Sequence, residues 1–250
     1  AVRRTRAPRA FLALALSLFL SLALTGGLLV AEEGPVVHWT FDDTLADASG
    51  NGHDLTVLRG TGAYDEGFAG RAFKFDGSTC LQLLSKPIKS EDLSVSVYYW
   101  MEAWTESDNG QNLILVNEGL SALGPGAMDL GFIRNTSENP LDQIYSNVVS
   151  ATGWMQGDRV QSQKKAEDSE LWTGGIKGTD TQGAWHHLAV VVDQEAEAMT
   201  LYLDGTAIDS KKLFYAAGLE VALGLGSEGE AINVGGLLEG EDTKRNFKGL

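Results

Sequence analysis

Cysteine is almost absent: Cys80 stands alone in 250 residues, so no intrachain disulfide can form and no thiolate cluster can hold zinc. The fold must rest on its core. Positive charge is also scarce, with 19 Lys and Arg against 34 Asp and Glu and a formal net charge of −15. Such a surface repels phosphate backbones and anionic headgroups, which argues against nucleic acid and against peripheral membrane binding. It leaves cations, neutral sugars and proteins as partners. Long amphipathic helical patterns and internal repeats are missing. So are the sequence patterns of a nucleophile elbow (G-x-S-x-G), a phosphate-cradling G-x-x-x-x-G-K-S/T loop and a H-E-x-x-H zinc site, and with them the reaction classes that need them.

Four of the basic residues, Arg3, Arg4, Arg6 and Arg9, precede an uncharged Leu/Ala-rich run over residues 10–31. A positive start, an apolar middle and small residues before Glu32 are the marks of an export signal, and cleavage is expected after Ala31. The same run is long enough to span a bilayer, so an uncleaved anchor is the alternative. The Arg3-Arg4 pair is too short a pattern to assign a twin-arginine route. Either way the remainder, 32–250, is placed outside the cell or at its surface, and its length suits one all-β domain.

Two-residue alternation organises that remainder. Leu93, Val95, Val97 and Tyr99 alternate with Ser94, Ser96, Tyr98 and Trp100, which predicts a central strand. Trp185 to Val192 is apolar on both faces, as a strand between layers should be, and Met199, Leu201 and Leu203 form its return strand. Val37, Trp39 and Phe41 predict a first strand. Phe73 and Phe75 with Leu81 and Leu83 predict a hairpin around Asp76-Gly77, and Asp204-Gly205 predicts another turn. Asn112–Val116, Leu130–Ile133 and Ile144–Val149 predict shorter strands, and Ile232 and Val234 a later one. The polar stretch between Gly153 and Gly183 is assigned to long surface loops framing short strands. Short strands separated by Gly and Asp turns give an all-β, two-sheet antiparallel β-sandwich.

Several phrases, in order, resemble the laminin-G-like jelly-roll family of exported bacterial proteins. They are V-H-W-T-F-D-D from Val37, D-A-S-G-N-G from Asp47, F-K-F-D-G from Phe73, L-S-V-S-V-Y-Y-W from Leu93, G-A-W-H-H-L-A-V-V-V-D from Gly183 and L-Y-L-D-G from Leu201. The resemblance runs from about Val36 to the end and implies a concanavalin A-like jelly roll. After a phrase like Asn246-Phe247-Lys248-Gly249 the family continues into a last strand carrying an acidic pair. The sequence stops at Leu250, so the sandwich is expected to lack its last strand and to leave the edge of the Val37–Phe41 strand exposed.

The resemblance also implies calcium near the D-A-S-G-N-G loop, where Asp43, Asp47 and Asn51 offer the oxygen ligands that a hard cation prefers. The alternative is a turn held by local side-chain bonds. For a glycan, Trp104, Tyr145, Trp154 and Trp172 are the candidate platforms, being aromatic and placed away from the strongest strands. Trp39, Trp100 and Trp185 are assigned to the core. Neighbouring on one strand, His186 and His187 face opposite sides and cannot share a metal. Glycosidases on related jelly rolls use paired acids on one strand. Glu195/Glu197, Glu228/Glu230 and Glu239/Glu241 alternate but lie in turns or beside glycines, and none has the family's catalytic E-x-D-x-x-E arrangement. The expectation is a non-enzymatic recognition module for carbohydrate, with a protein-adhesion domain of a larger surface protein as the alternative and a glycosidase-like enzyme as a distant third.

Overall fold

The computed structural model describes residues 34–84, 88–90, 92–102, 110–116, 128–134, 142–150, 153–162, 164–165, 172–173, 176, 178–213, 221–223, 231–239, 242–244 and 246–250. The chain divides into two compact units, Ala1–Pro35 and Val36–Leu250, and the strands among the described residues belong to the second. In chain order these are β1 (Thr56–Arg59), β2 (Ala63–Glu66), β3 (Arg71–Asp76), β4 (Cys80–Leu84), β5 (Ile88–Ser90), β6 (Leu93–Trp100), β7 (Gly110–Val116), β8 (Met128–Arg134), β9 (Asp142–Ser150) and β10 (Gly153–Gln161). There follow β11 (Lys164–Lys165), β12 (Trp172–Thr173), β13 (Trp185–Asp193), β14 (Ala198–Leu203), β15 (Thr206–Lys212), β16 (Val221–Leu223), β17 (Ala231–Val234), β18 (Leu237–Glu239), β19 (Asp242–Lys244) and β20 (Lys248–Gly249).

Antiparallel pairing gathers most of them into two layers, with β11-β12, β16-β5 and β18-β19 as separate two-stranded sheets. One sheet runs β1-β4-β17-β7-β8-β9-β10. The other begins β15-β14-β13-β6 and continues across the end of β6, because Trp100 and Leu250 exchange two backbone hydrogen bonds of 2.9 Å and Glu102 N–H donates to Lys248 O at 3.0 Å. β20 in turn pairs with β3, Gly249 opposite Phe75, and β3 pairs with β2. The inner faces meet in one core. Tyr99, Leu188, Val190, Met199 and Leu201 come from the second sheet and Leu81, Leu130, Phe132, Val160 and Ile232 from the first, all buried. Tyr99 packs edge-on against Phe132 at 5.3 Å between ring centroids, a favourable aromatic geometry. The fold is an antiparallel two-sheet β-sandwich, as the alternation predicts.

Strand β6 follows its alternation closely, with Leu93 and Tyr99 buried and Ser94, Ser96 and Tyr98 exposed. The β14–β15 connection is the Asp204-Gly205 turn, both residues at positive φ (50° and 77°), the backbone that suits the twist of a two-residue hairpin.

Three expectations are corrected. Val37–Phe41 does not form a strand; Trp39 makes a single bridge to Asp47, and Phe41 and Asp43 adopt positive φ (57° and 54°), which breaks the extended run. The expected open edge of that strand therefore does not arise. Phe73/Phe75 and Leu81/Leu83 do not pair as a hairpin, since β3 joins β2 and β20 while β4 joins β1 and β17. Asp76 explains the crossing: its Oδ1 accepts the backbone N–H groups of Ser78 (2.8 Å) and Thr79 (2.9 Å) and both their hydroxyls. This tight cap turns the chain from one sheet to the other. Finally, the polar stretch after Gly153 holds the nine-residue strand β10, paired to β9 through an irregularity between Gly153 and Gly157 that hides the alternation.

The end of the sequence also has a place in the sheet. Lys248 and Gly249 form β20, hydrogen-bonded between β3 and the segment that follows β6.

Candidate functional site

On β6 and β13, Trp100 stands directly opposite Trp185, and two residues along, Tyr98 stands opposite His187. Because Tyr99 and Leu188 are buried in the core, the period of two turns Trp100, Trp185, Tyr98 and His187 to the outer face. Both tryptophans are half-buried there. They line a cavity of about 450 Å³ together with Asp65, Glu66, Lys74, Glu102, Gly249 and Leu250. Strands β2, β3, β20, β6 and β13 lie side by side beneath it, so the site is built on sheet rather than on loops.

Its polar rim is organised by ion pairs. Lys74 Nζ lies 2.9 Å from Asp65 Oδ2 and Lys248 Nζ lies 3.1 Å from Glu102 Oε1. The hydrogen bond from Lys74 holds the Asp65 carboxyl below its ordinary value and raises the lysine correspondingly. The pair is exposed, so its contribution is to position rather than to stability. The arrangement presents two indole rings beside hydrogen-bonding carboxylates and an ammonium, a surface able to stack a ring's C–H face and bond its hydroxyls.

Beside the cavity the aromatic surface continues. Phe68 stacks on Tyr98 at 4.6 Å with 11° between ring planes and meets Trp185 edge-on at 6.3 Å. His187 lies 4.6 Å from Tyr98 on the same face. Phe68 and Tyr98 remain 60% and 51% exposed, which for large apolar side chains in contact with one another marks a surface that does something other than fill a core.

The residues expected to hold calcium are otherwise engaged. Asp47 accepts four hydrogen bonds: Oδ1 from His38 N–H and Ser49 N–H, both at 2.9 Å, and Oδ2 from Ser49 Oγ at 2.7 Å and His53 N–H at 3.0 Å. Burial would raise its pKa, but these four bonds outweigh burial and hold it well below the usual carboxylate range. Asp43 pairs with Arg71 Nε at 3.2 Å. Asn51 Nδ2 donates to Val36 O at 2.9 Å. Among the described residues no three His, Cys, Asp or Glu side chains group as metal ligands. As arranged, Asp47 is the acceptor of a side-chain-capped turn.

His186 and His187 do face opposite sides. His186 Nδ1 lies 2.7 Å from Asp204 Oδ2 and His187 N–H donates to Asp204 Oδ1 at 2.9 Å, so the pair anchors the β14–β15 turn to β13. Burial raises the Asp204 pKa, and the bonds from His187 and His186 more than reverse it, leaving the group ionised.

Of the expected sugar platforms, Trp104 lies outside the described residues. Tyr145 is on β9 opposite Gly131 and Gln161. Trp154 is on β10 at the other end of the same ladder, where Gly153 faces Ser150. Trp172 is on β12 opposite Lys165, in a separate two-stranded sheet. None of these three positions is paired with another, whereas Trp100 stands directly opposite Trp185. Assignment to the core fits Trp39, which packs against it and donates its indole N–H to His53 O at 2.7 Å. It does not fit Trp100 and Trp185. The signal that could have found them was present: Trp100 is in phase with Ser94 and Ser96, not with Val95 and Val97.

The sheet order and the shared core define the class: an antiparallel two-sheet β-sandwich of the jelly-roll kind. No protein-family model matches the chain, and no curated protein does. Among solved structures it is similar to domain 4 of AbnA, a GH43 extracellular arabinanase from Geobacillus stearothermophilus, in complex with arabinotriose. The identity is 18%, the match covers 86% of this chain and 89% of that one, and the TM-score is 0.54. It is similar also to the enzymatically active domain of tailspike protein 2 of bacteriophage CBA120, at 11% identity, 78% and 27% coverage and a TM-score of 0.50. A third similar structure is domains LG4-5 of the mouse laminin alpha1 chain, at 14% identity, 70% and 38% coverage and a TM-score of 0.43. At these identities the likeness is one of fold.

Proposed function

We propose that this chain is an exported, non-catalytic recognition module of laminin-G-like type, and that it binds carbohydrate in the cavity walled by Trp100 and Trp185. One observation carries the reading: two half-buried indoles placed directly opposite on neighbouring strands, with Asp65, Glu66, Lys74 and Glu102 around them. Sugar rings are amphipathic, and such sites meet the C–H face with an aromatic ring and the hydroxyls with ionised groups. That AbnA domain 4 is solved with arabinotriose is in keeping with a sugar ligand on this fold. Export follows from the charge pattern of residues 1–31 and suits a partner outside the cell. Within this reading Lys74 holds Asp65 ionised, which suits it to accept hydrogen bonds from sugar hydroxyls.

The test is a glycan array probed with the purified chain and with Trp185→Ala, each in calcium and in chelator. The wild-type chain gives a signal that Trp185→Ala loses by tenfold or more and that chelator leaves unchanged, because Asp47 is already saturated with donors. A signal abolished by chelator would restore calcium to the reading. A blank array from folded protein would reject carbohydrate and turn attention to a protein partner.

A further inference from the structure

The cavity and the aromatic surface beside it are continuous, and this determines what kind of carbohydrate suits them. Trp185 belongs to both: it lines the cavity with Trp100 and meets Phe68 edge-on. Tyr98 is two residues before Trp100 on the same outer face of β6, a step of about 7 Å along the strand. The outer face therefore carries aromatic side chains in series, from Trp100 and Trp185 to Phe68, Tyr98 and His187.

The Phe68 position is built rather than incidental. Its turn closes with Gly67 N–H donating to Gly70 O at 2.9 Å. The turn is tied down by Asp42 Oδ1, which accepts Arg71 N–H at 2.7 Å, and by Arg71, whose Nε meets Asp43 and whose Nη2 donates to Tyr64 O at 3.0 Å. Asp42 and Asp43 thus brace the turn that holds an exposed phenyl ring against Tyr98. Charge narrows the occupant further. Asp65, Glu66 and Glu102 line the cavity, two of them paired with Lys74 and Lys248, which leaves an excess of one carboxylate there, and the chain carries a net −15, so a polyanionic chain is repelled.

Resting on the carbohydrate reading, we infer that the cavity and the Phe68–Tyr98 surface form one track for several consecutive residues of a polysaccharide chain without acidic groups, rather than a pocket for a single sugar or a chain end. The cavity takes the first residues and Phe68 and Tyr98 the following ones.

Calorimetric titration of the full chain with matched mono- to hexasaccharide series of a neutral glucan, xylan and arabinan, of chitosan and of polygalacturonate tests this. Affinity for one neutral or amine-bearing series rises at least tenfold between disaccharide and pentasaccharide, and polygalacturonate fails to bind at low salt. Phe68→Ala and Tyr98→Ala each lower pentasaccharide affinity by about three- to tenfold, as loss of one ring contact would, and lower disaccharide affinity by a smaller factor. Trp185→Ala lowers both. Because Phe68 is exposed, its variant keeps the wild-type melting temperature, which separates loss of contact from loss of fold. Affinity that is flat with chain length yet abolished by Trp185→Ala overturns the track and keeps the carbohydrate reading. Tight binding of polygalacturonate overturns the exclusion of acidic chains. No binding in any series overturns both the track and the reading beneath it.

Discussion

Asp47 illustrates how much one carboxylate can organise. Only 8% exposed, it gathers the N–H groups of His38, Ser49 and His53 and so fastens the segment before β1 to the loop that follows it. Asp54 Oδ1 accepts Asp47's own N–H at 2.7 Å. Replacing Asp47 by Ala leaves three backbone donors without their acceptor and is expected to cost about 1.5–3 kcal/mol, the range for hydrogen bonds to a charged group. The folded-state pKa lies below the usual aspartate value of 3.8, so the unfolded chain binds this proton more tightly. The stabilisation is therefore complete above about pH 4–5 and is lost as pH falls from there toward the depressed folded value. Urea unfolding at neutral pH and near pH 3 checks both points: the wild type loses more stability on acidification than Asp47→Ala, which has already lost that contribution. A variant with the same acid sensitivity as the wild type would place the bonding elsewhere. The role was half legible in the sequence. The D-A-S-G-N-G phrase announces a turn, but turn chemistry and calcium ligation use the same residue types, and only the count of donors around Asp47 separates them.

At the scale of elements, what alternation reveals is local. The faces of β6, β13 and β14 follow from their own residues, and so does the Asp204-Gly205 turn. Pairing over long sequence distances does not. Phe73-Phe75 and Leu81-Leu83 look like a hairpin because both alternate about a short turn, yet Asp76 sends them to opposite sheets, and their partners lie at β20 and β17, far along the chain. The outer face of β6 was misjudged for a related reason: its inner face is also apolar and ends in Tyr99, so residue type alone does not tell core from platform. The most exacting local geometry is at Gly249, where φ is 155° and an added Cβ would meet the Trp100 carbonyl oxygen and the Phe247 ring. Gly249→Ala is expected to push β20 away from the end of β6, breaking the Trp100–Leu250 hydrogen bonds, at a cost of about 1–3 kcal/mol as for other overpacked sites. Because Gly249 and Leu250 also line the cavity, the same variant lowers sugar affinity along with melting temperature. Thermal melts read beside titrations would show it. A lowered melting temperature with unchanged affinity would separate the β20 clasp from the binding site.

For the molecule as a whole, charge is the property that sequence states most directly and that structure then distributes. A net −15 over a chain without an intrachain disulfide opposes compaction through self-repulsion, and salt screens that repulsion within a Debye length of about 10 Å at 0.1 M. The core is an inner layer contributed by two sheets, and its stabilisation does not depend on screening. The two contributions can therefore be told apart by ionic strength. Raising NaCl from about 0.01 M to about 0.3 M, over which the Debye length contracts from about 30 Å to well under 10 Å, is expected to raise the melting temperature. The exposed Lys74–Asp65 and Lys248–Glu102 pairs work in the opposite sense, since screening weakens them, but pairs of this kind contribute little. Binding of a neutral oligosaccharide should respond differently, staying nearly constant across the same series, because stacking on Trp100 and Trp185 involves no net charge on the ligand. A melting temperature that rises with salt beside an affinity that does not would assign the acidic surface to solubility and ligand exclusion and the aromatic face to recognition. A chitosan oligosaccharide that binds more tightly than the neutral series at low salt, with an affinity that falls steeply as salt rises, would instead mean that Asp65, Glu66 and Glu102 attract a cationic ligand, and would shift the ligand class toward amine-bearing sugars.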